Sequence, residues 1–378
     1  MKRTADVIII GGGANGCAAA YYLAKAGQKN VIVLEGSPSI GHGGSSRNGG
    51  GVRQSGRDVR ELPYAMYGIQ NLWPTLSEEL GADVEYRQAG NLRLGKTPAH
   101  LEKLSTLAAN ALSVGLDVKM IDAAEAHERN PFLSSEVIGA SWCPTDGHAN
   151  PLRTTLAYYR RALDMGVQFV VDAPVAALKK QKGVLRQVIT QDGTVFEADT
   201  VILAAGYESR AISRTVGIEL PLSRFFDEAL VTEAREPMFD MMLGVASGDF
   251  YGHQATNGTF VFGSECGLED FYDTAPGDDR TFSLTVSSCC RAILSYIPAL
   301  KDIRVVRSWG GWLDMSPDGV PILGAVDEVP GLILAAGFNG HGFGTAPAVG
   351  LMLAQMALGQ PTVVDLSALR YDRFHASH

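Results

Sequence analysis

The residues best equipped for chemistry stand near the start of the chain. Gly11-Gly12-Gly13-Ala14-Asn15-Gly16 fits G-x-G-x-x-G, and Glu35-Gly36 follows, with Glu35 nineteen residues beyond Gly16. In a strand–turn–helix setting each glycine has a task. Gly11 permits the tight turn, Gly13 lets the backbone approach a pyrophosphate, and Gly16 lets helix and strand pack closely. The free N–H groups of Ala14 and Asn15, at the positive end of the helix dipole, suit phosphate oxygens. An acid at Glu35 suits the hydroxyls of a ribose. This pattern points to a dinucleotide.

The elements that would position these residues are legible around them. Residues 6–10 are an apolar, β-branched run and read as a buried strand. Residues 17–26 form a small-residue helix ending at Gly27, and residues 31–34 a second strand. The glycine-dense run from Gly41 to Arg53 then leaves the end of that strand. It carries Gly43, Gly44, Ser45, Ser46, Arg47, Gly49 and Gly50. Such a run cannot pack a core, but it can bring backbone N–H groups and two arginines against a ligand, on the side of an open α/β sheet where ligands gather.

Further along, residues 58–82 read as helical with interruptions at Pro63 and Pro74, and residues 84–94 as a strand pair turned at Ala89-Gly90. Helices follow at 98–114, 122–129 and 152–165, with a strand at 137–142 before the last of them. Strands at 167–171, 175–180, 184–190 and 196–198 lead to a buried run from Asp199 to Ala205-Gly206. From 218 to 314 the style changes to short alternating segments, at 229–233, 250–253, 259–263 and 303–309, with turns at Asn257-Gly258 and Pro276-Gly277 and a helix at 282–296. The first style then returns in a strand ending at Gly337. The loop Phe338-Asn339-Gly340-His341-Gly342-Phe343-Gly344 opens a helix from Thr345 to Leu358, with Pro347 in its first turn. The expected fold is an α/β Rossmann-like nucleotide-binding domain, discontinuous in sequence, plus an α+β substrate domain with a mostly antiparallel sheet. The first comprises residues 1–82, 145–217 and 317–378, the second residues 83–144 and 218–316.

Composition narrows the class. The 378 residues are 46% hydrophobic and 19% charged, with net charge −9. That disfavours a nucleic-acid surface and leaves no polybasic membrane patch. No apolar run reaches the roughly 18–20 residues that span a bilayer. Met1-Lys2-Arg3 runs straight into the first strand, a pattern without a leader. Cys17, Cys143, Cys266, Cys289 and Cys290 lack C-x-x-C spacing, which suits reduced thiols rather than metal ligands. The expectation is a cytoplasmic protein, with any contact to the inner face of a membrane made through partners.

Taken in order, Gly11–Gly16 with Glu35, the Gly43–Arg47 loop, the 201–206 strand and the block from Ser316-Pro317-Asp318-Gly319 to Gly350 resemble the FAD-dependent amino-acid and amine oxidoreductases of the D-amino-acid oxidase type. The resemblance covers nearly the whole chain. It is nearest to flavoprotein β subunits of heteromeric enzymes: sarcosine oxidase, opine oxidase, hydroxyproline dehydrogenase and hydrogen cyanide synthase. It implies dissociable FAD between the two domains and oxidation of a small amino acid or secondary amine acid by hydride transfer to flavin N5. Gly11, Gly13 and Gly16 would hold the pyrophosphate and Glu35 the adenosine ribose. Gly44, Ser45, Ser46 and Arg47 would approach the phosphates and ribityl chain, Val175 the adenine, and Ala205-Gly206 the nucleotide. Gly337 to Thr345, including Gly340, His341, Gly342 and Gly344, would pass the flavin's pyrimidine edge. There a helix N-terminus starting near Gly344 stabilises negative charge.

Departures from the family pattern are equally informative. Leu313 occupies the place where glycine oxidase-like members carry an arginine for the substrate carboxylate. No cysteine is positioned for covalent FAD. Pro151 stands where sarcosine oxidase β chains attach FMN to a histidine, so any FMN would be non-covalent, at an interface between chains. Arg53 is then the candidate carboxylate partner. Tyr251 and His253 are candidates on the roofing sheet, and His341 against flavin or substrate; Trp309 and Trp312 are assigned to the core. A metal site is not expected. An NAD(P)H-dependent flavin reductase would need a second nucleotide fingerprint, which Gly340–Gly344 is not. Partner chains that carry electrons away are expected, with a self-sufficient, peroxide-producing oxidase as the alternative.

Overall fold

The computed structural model describes residues 2–248, 250–264, 281 and 283–375. Cys266, the Pro276-Gly277 turn, Phe282 and His378 lie outside them.

Two eight-stranded sheets make up the framework among the described residues. In the first, Leu332–Ala336, Val195–Leu203, Thr4–Ile10, Val31–Leu34 and Gln168–Val170 lie side by side and parallel. Ile322–Ala325 closes one edge antiparallel, and the hairpin strands Val175–Gln181 and Val184–Thr190 branch from Val195–Leu203. Alternation in Thr4–Ile10 explains its central place. Val7 and Ile9 face one hydrophobic core, and Ile8 and Ile10 face the other. A strand buried on both faces reads as a continuous apolar run.

On the first face lie the helices Ala14–Lys25, Leu62–Asn71, Pro151–Asp164 and Gly342–Ala357. Ala14–Lys25 is apolar nearly all round, because it is covered by the sheet, by Gly342–Ala357 and by Pro151–Asp164. Its packing on Gly342–Ala357 and on the turn after Thr4–Ile10 depends on missing side chains. A Cβ on Gly350 would collide with the Cβ of Ala18 and crowd its backbone, and one on Gly16 would collide with the Gly11 carbonyl oxygen.

The second sheet runs Val305–Met315, Ser223–Ala234, Thr259–Ser264, Tyr251–Gln254, Met242–Val245, Asn91–Gly95, Gly139–Cys143, Lys119–Asp122. All neighbours are antiparallel except Met242–Val245 and Asn91–Gly95, which pair in parallel. One face is apolar. Leu92, Leu94, Leu243, Phe260 and Phe262 pack there with Ile293 and Tyr296 of the helix Ser283–Tyr296. The opposite face looks toward the glycine loop.

Several elements differ from the sequence expectation. Residues 84–94 are not a strand pair. Only Asn91–Gly95 is a strand, and Glu85 takes φ 56°, with its N–H capped by the Asp83 carboxylate, which breaks an extended run. Pro63 falls in the first turn of Leu62–Asn71, where proline is tolerated, and a 3-10 turn at Trp73–Thr75 then leads to a short helix, Leu76–Leu80. Residues 196–198 and 199–203 are one strand. The C-terminal helix starts at Gly342, not near Gly344 or Thr345, so Pro347 lies a turn deeper than expected. Met242–Val245 and the small pair Gly51–Val52 with Gly147–His148 had no clear signature, being too short for an alternation to register.

The Gly350 crossing makes a direct prediction. Gly350→Val should destabilise the chain by about 1–3 kcal/mol through overpacking, read as a lowered urea midpoint. An unchanged midpoint would show that the two helices can move apart freely.

Candidate active site

The first βα turn builds the main cleft. Thr4–Ile10 ends at Gly11, whose φ of 111° suits glycine, and Ala14–Lys25 begins two residues after Gly12 with Gly13 as its N-cap and no capping side chain. Its free N–H groups therefore open on a cleft of about 540 Å³, a size usual for small-molecule sites. Gly11, Gly13, Ala14, Asn15, Glu35, Gly36, Gly43, Gly44, Ser45, Val175, Ala205, Gly206, Gly340 and Gly342 all line it. The Ala14 N–H donates to Ser45 Oγ at 2.8 Å, and a Cβ on Gly13 would sit 2.8 Å from that same oxygen. Glu35 accepts from the N–H groups of Gly12 at 2.7 Å and Ser37 at 2.8 Å. Asn15 Oδ1 is buried without a partner. A side-chain-free cradle with an orphaned polar atom and a carboxylate at the strand end is a fit for a dinucleotide such as FAD.

Other expected cofactor residues stand back from this cleft. Gly16 lets the helix pack closely on the turn at Gly11 and on Ile9. Arg47 turns to the second sheet, where its Nη1 donates to the Gly310 carbonyl and its own carbonyl accepts from Trp309 Nε1. Gly337, at φ 69°, donates its N–H to the Asp314 carboxylate at 2.6 Å. Thr345 is buried and bonds back to the His341 carbonyl. Gly344 packs on the Gly51–Arg53 backbone: a Cβ there would be 2.7 Å from the Gly51 carbonyl oxygen. That contact joins the C-terminal helix to the loop carrying Arg53.

Ser46 and Gly49 line a second, smaller cavity of about 190 Å³, with His148, His253, Glu85 and Trp309, while Asn48 borders both. Gly50 lies beside it, its missing Cβ 3.4 Å from the His253 ring. His253 thus sits with the smaller cavity, stacked on His148 at 3.9 Å between ring centroids. His148 is buried as well. The two tryptophans are also not core residues. Trp309 borders the smaller cavity and Trp312 the cleft, because the intervening Gly310 and Gly311 leave their strand open to Phe226 and Arg47.

A cationic group occupies the face of the second sheet toward the C-terminal helix. Arg53 lies over the Tyr251 ring at 5.7 Å, and the Tyr251 hydroxyl donates to Asp227 at 3.4 Å. Arg57 pairs with Glu61 at 3.2 Å and donates to the His341 carbonyl. His341 caps the C-terminal helix, its Nδ1 3.5 Å from Glu61 Oε1, and neither atom has a closer partner. Burial and the Arg57 charge lower the His341 pKa, so it is neutral at pH 7. Burial opposes ionisation of Glu61, but His341 and Arg57 hold its carboxyl below the usual range. Arg57, Glu61 and Asp314 are not marked out in the sequence; Arg57 and Glu61 stand four apart entering a helix, the one signal available. Among the described residues no group of acids, histidines and cysteines is arranged for a metal.

Comparison with known proteins fits this geometry. Residues 6–356 match the family described as FAD dependent oxidoreductase, DAO. The β chain of sarcosine oxidase from Rhizobium meliloti is 32% identical, over 98% of this chain and 88% of that protein. One of the subunits of opine oxidase from Agrobacterium tumefaciens is 28% identical, over 98% of each. The crystal structure of L-proline dehydrogenase from P. horikoshii superposes with a TM-score of 0.89 at 27% identity, over 99% of this chain and 98% of that one.

The histidine stack carries a stability prediction. Burial pushes His148 down to about 4, and burial with the His148 neighbour lowers His253 well below its ordinary value. Below pH 6.5 the unfolded chain binds protons that the folded chain refuses, so stability falls as pH drops from 6.5 toward 4. For His148 the loss reaches about 3 kcal/mol. Urea unfolding at pH 7 and pH 4.5 should show His148→Gln losing ~2 kcal/mol less than the parent over that interval; equal losses would contradict it.

Proposed function

The chain belongs to the DAO family of FAD-dependent oxidoreductases, and from that premise we propose that it oxidises a small amino acid or secondary amine acid as the flavoprotein component of a heteromeric dehydrogenase. The observation carrying this reading is Arg53. The residue is half-buried, and its guanidinium lies over Tyr251 with no hydrogen-bond or ion-pair partner among the described residues. Leu313 stands in place of the arginine expected for a glycine oxidase-like site, so the substrate carboxylate falls to Arg53.

When bound, FAD supplies a two-electron acceptor for the C–H bond beside the amine nitrogen. The chain's own residues prepare the substrate. Arg53 holds the carboxylate and fixes which bond faces the cleft. An ammonium is a poor electron donor, so its proton must leave. His341 is neutral, and its Nε2 accepts that proton while Nδ1 faces Glu61, which steadies the imidazolium formed. The first N–H groups of the helix Gly342–Ala357 offer positive potential at the same edge of the cleft.

The heteromeric role rests on likeness to a sarcosine oxidase β chain and to one of the subunits of opine oxidase. An interfacial FMN would border the smaller cavity, where Pro151 offers no imidazole nitrogen for covalent attachment. Cys17, Cys143 and Cys290 are free thiols, in keeping with a reducing compartment, and no described helix is long and apolar enough to cross a membrane.

Anaerobic addition of sarcosine, glycine, proline, hydroxyproline epimers, octopine and nopaline to the FAD-loaded chain should bleach the flavin with one class of amine. Slow recovery in air is expected; fast recovery with peroxide would favour the oxidase. Arg53→Met should raise KM by about 10–100-fold for the amine acid without loss of bound flavin. An unchanged KM would remove Arg53 from carboxylate binding.

A further inference from the structure

Asp146 is fully buried, and the proposed reaction gives it no part. It stands in the turn between Gly139–Cys143 and the two-residue strand Gly147–His148, which pairs antiparallel with Gly51–Val52. Val52 lies opposite Gly147, so the next residue on each strand, Arg53 and Asp146, are brought level. The approach needs glycine at 147, where a Cβ would collide with the Arg87 carbonyl oxygen. The carbonyl of Asp146 accepts from the Gly90 N–H at 2.8 Å, which fixes the turn from its other side.

Its carboxylate is engaged by neutral donors. Oδ1 accepts from the Gln54 N–H at 2.7 Å. Oδ2 accepts from the Ser55 hydroxyl at 2.5 Å and from Asn91 Nδ2 at 3.3 Å. The Ser55 N–H is shared between the two oxygens, at 3.4 and 3.3 Å. Every partner is a donor, so only a side chain that accepts at both ends serves; an amide would turn its NH2 onto one of them. Gln54 and Ser55 directly follow Arg53, and the Arg53 carbonyl accepts from Arg57 Nε at 2.6 Å. The backbone leaving Arg53 is therefore gripped by two side chains, neither of which touches its guanidinium.

The charge of Asp146 acts without contact. It makes no ion pair among the described residues, yet its field reaches Arg53 and also Arg93, whose guanidinium rests against Gly56. Burial, then the Arg57 charge, lower the Arg53 pKa, and the Asp146 charge works against both. A direct salt bridge would instead take up the fork of N–H donors that a ligand carboxylate needs. A buried carboxylate is costly unless donors surround it. Here the donors belong to the very loop that carries Arg53.

We propose that Asp146 is a positioning residue for Arg53: it fixes the backbone from which Arg53 reaches the substrate carboxylate, and offsets the guanidinium charge without occupying its donors. This rests on the reading of Arg53 as the carboxylate anchor and deepens it. Asp146 borders neither the cleft nor the smaller cavity, so it acts through Arg53 and not on the ligand. Pre-set direction is what an unpaired arginine lacks by itself, since its long side chain has many rotamers to lose on binding.

A double-mutant cycle separates positioning from a general loss of structure. The probe is methylthioacetate, which carries one carboxylate and offers no amine to oxidise. Calorimetry on the FAD-loaded full chain should show Asp146→Asn weakening the probe by about 10-fold. In an Arg53→Met background the same change should cost less than about twofold. A merely structural role would weaken the probe equally in both backgrounds. Ser55→Ala removes one hydrogen bond to Asp146 and keeps its charge. It should cost about threefold, again only where Arg53 is present, and it guards against an Asp146→Asn chain that misfolds. Equal losses with and without Arg53 overturn the proposal. So does unchanged binding in Asp146→Asn or, where that chain does not fold, in Ser55→Ala. In those cases Arg53→Met alone still weakens the probe, and the carboxylate reading stands. If Arg53→Met alone leaves the probe unaffected, the carboxylate reading fails and the positioning role falls with it.

Discussion

Everything at the cleft depends on how closely backbone can approach backbone around the first helix. Ala14–Lys25 is crowded by Thr4–Ile10 beneath and Gly342–Ala357 beside it, and both approaches run through positions without side chains, Gly16 against Gly11 and Gly350 against Ala18. That closeness brings two helix N-termini to one cavity, capped by Gly13 and His341 respectively. Each helix start supplies unpaired N–H groups and partial positive charge. On the proposed function, one would serve phosphates and the other negative charge on a flavin edge. Bulkier residues at the crossings would separate the two ends, and the cleft would lose one of its positive poles.

The charge distribution follows the same logic at a longer range. The chain as a whole carries −9, yet the face above the cleft concentrates Arg53, Arg57 and Arg93, with Glu61 paired to Arg57 and the Asp146 charge reaching the other two. A cationic pocket in an acidic molecule focuses small anions and turns away polyanions that would be held by a basic surface. On the proposed function, selectivity for acidic amines would begin before any contact with substrate. It is then refined by which arginines are left without partners.

The fold was legible where the chemistry is local. Asp6–Ile10, the glycine turn, Glu35 and the small-residue helix form a sequence-continuous unit, and their arrangement follows from periodicity and turn chemistry. The antiparallel character of residues 218–314 was also readable, since alternation there is regular. What escaped is pairing between distant pieces. Arg93 looks like an ordinary strand arginine until Gly56 and Gly244 are placed around it. Arg47, adjacent to the phosphate loop in sequence, turns to Gly310 because the second sheet offers it a carbonyl. His253 went with the smaller cavity because His148, a loop residue in sequence, is buried beneath it. No local signal encodes which of two nearby cavities a side chain enters.

The single parallel pairing in the second sheet, Met242–Val245 beside Asn91–Gly95, has a consequence for how the chain is made. About 150 residues separate the two strands, and the first sheet likewise waits for Leu332–Ala336 to cover Val195–Leu203. On a ribosome, Asn91–Gly95 and Val195–Leu203 emerge long before the strands that cover their open edges. Nascent chains therefore carry unpaired, apolar strand edges for most of synthesis, the state in which cross-chain pairing competes with folding.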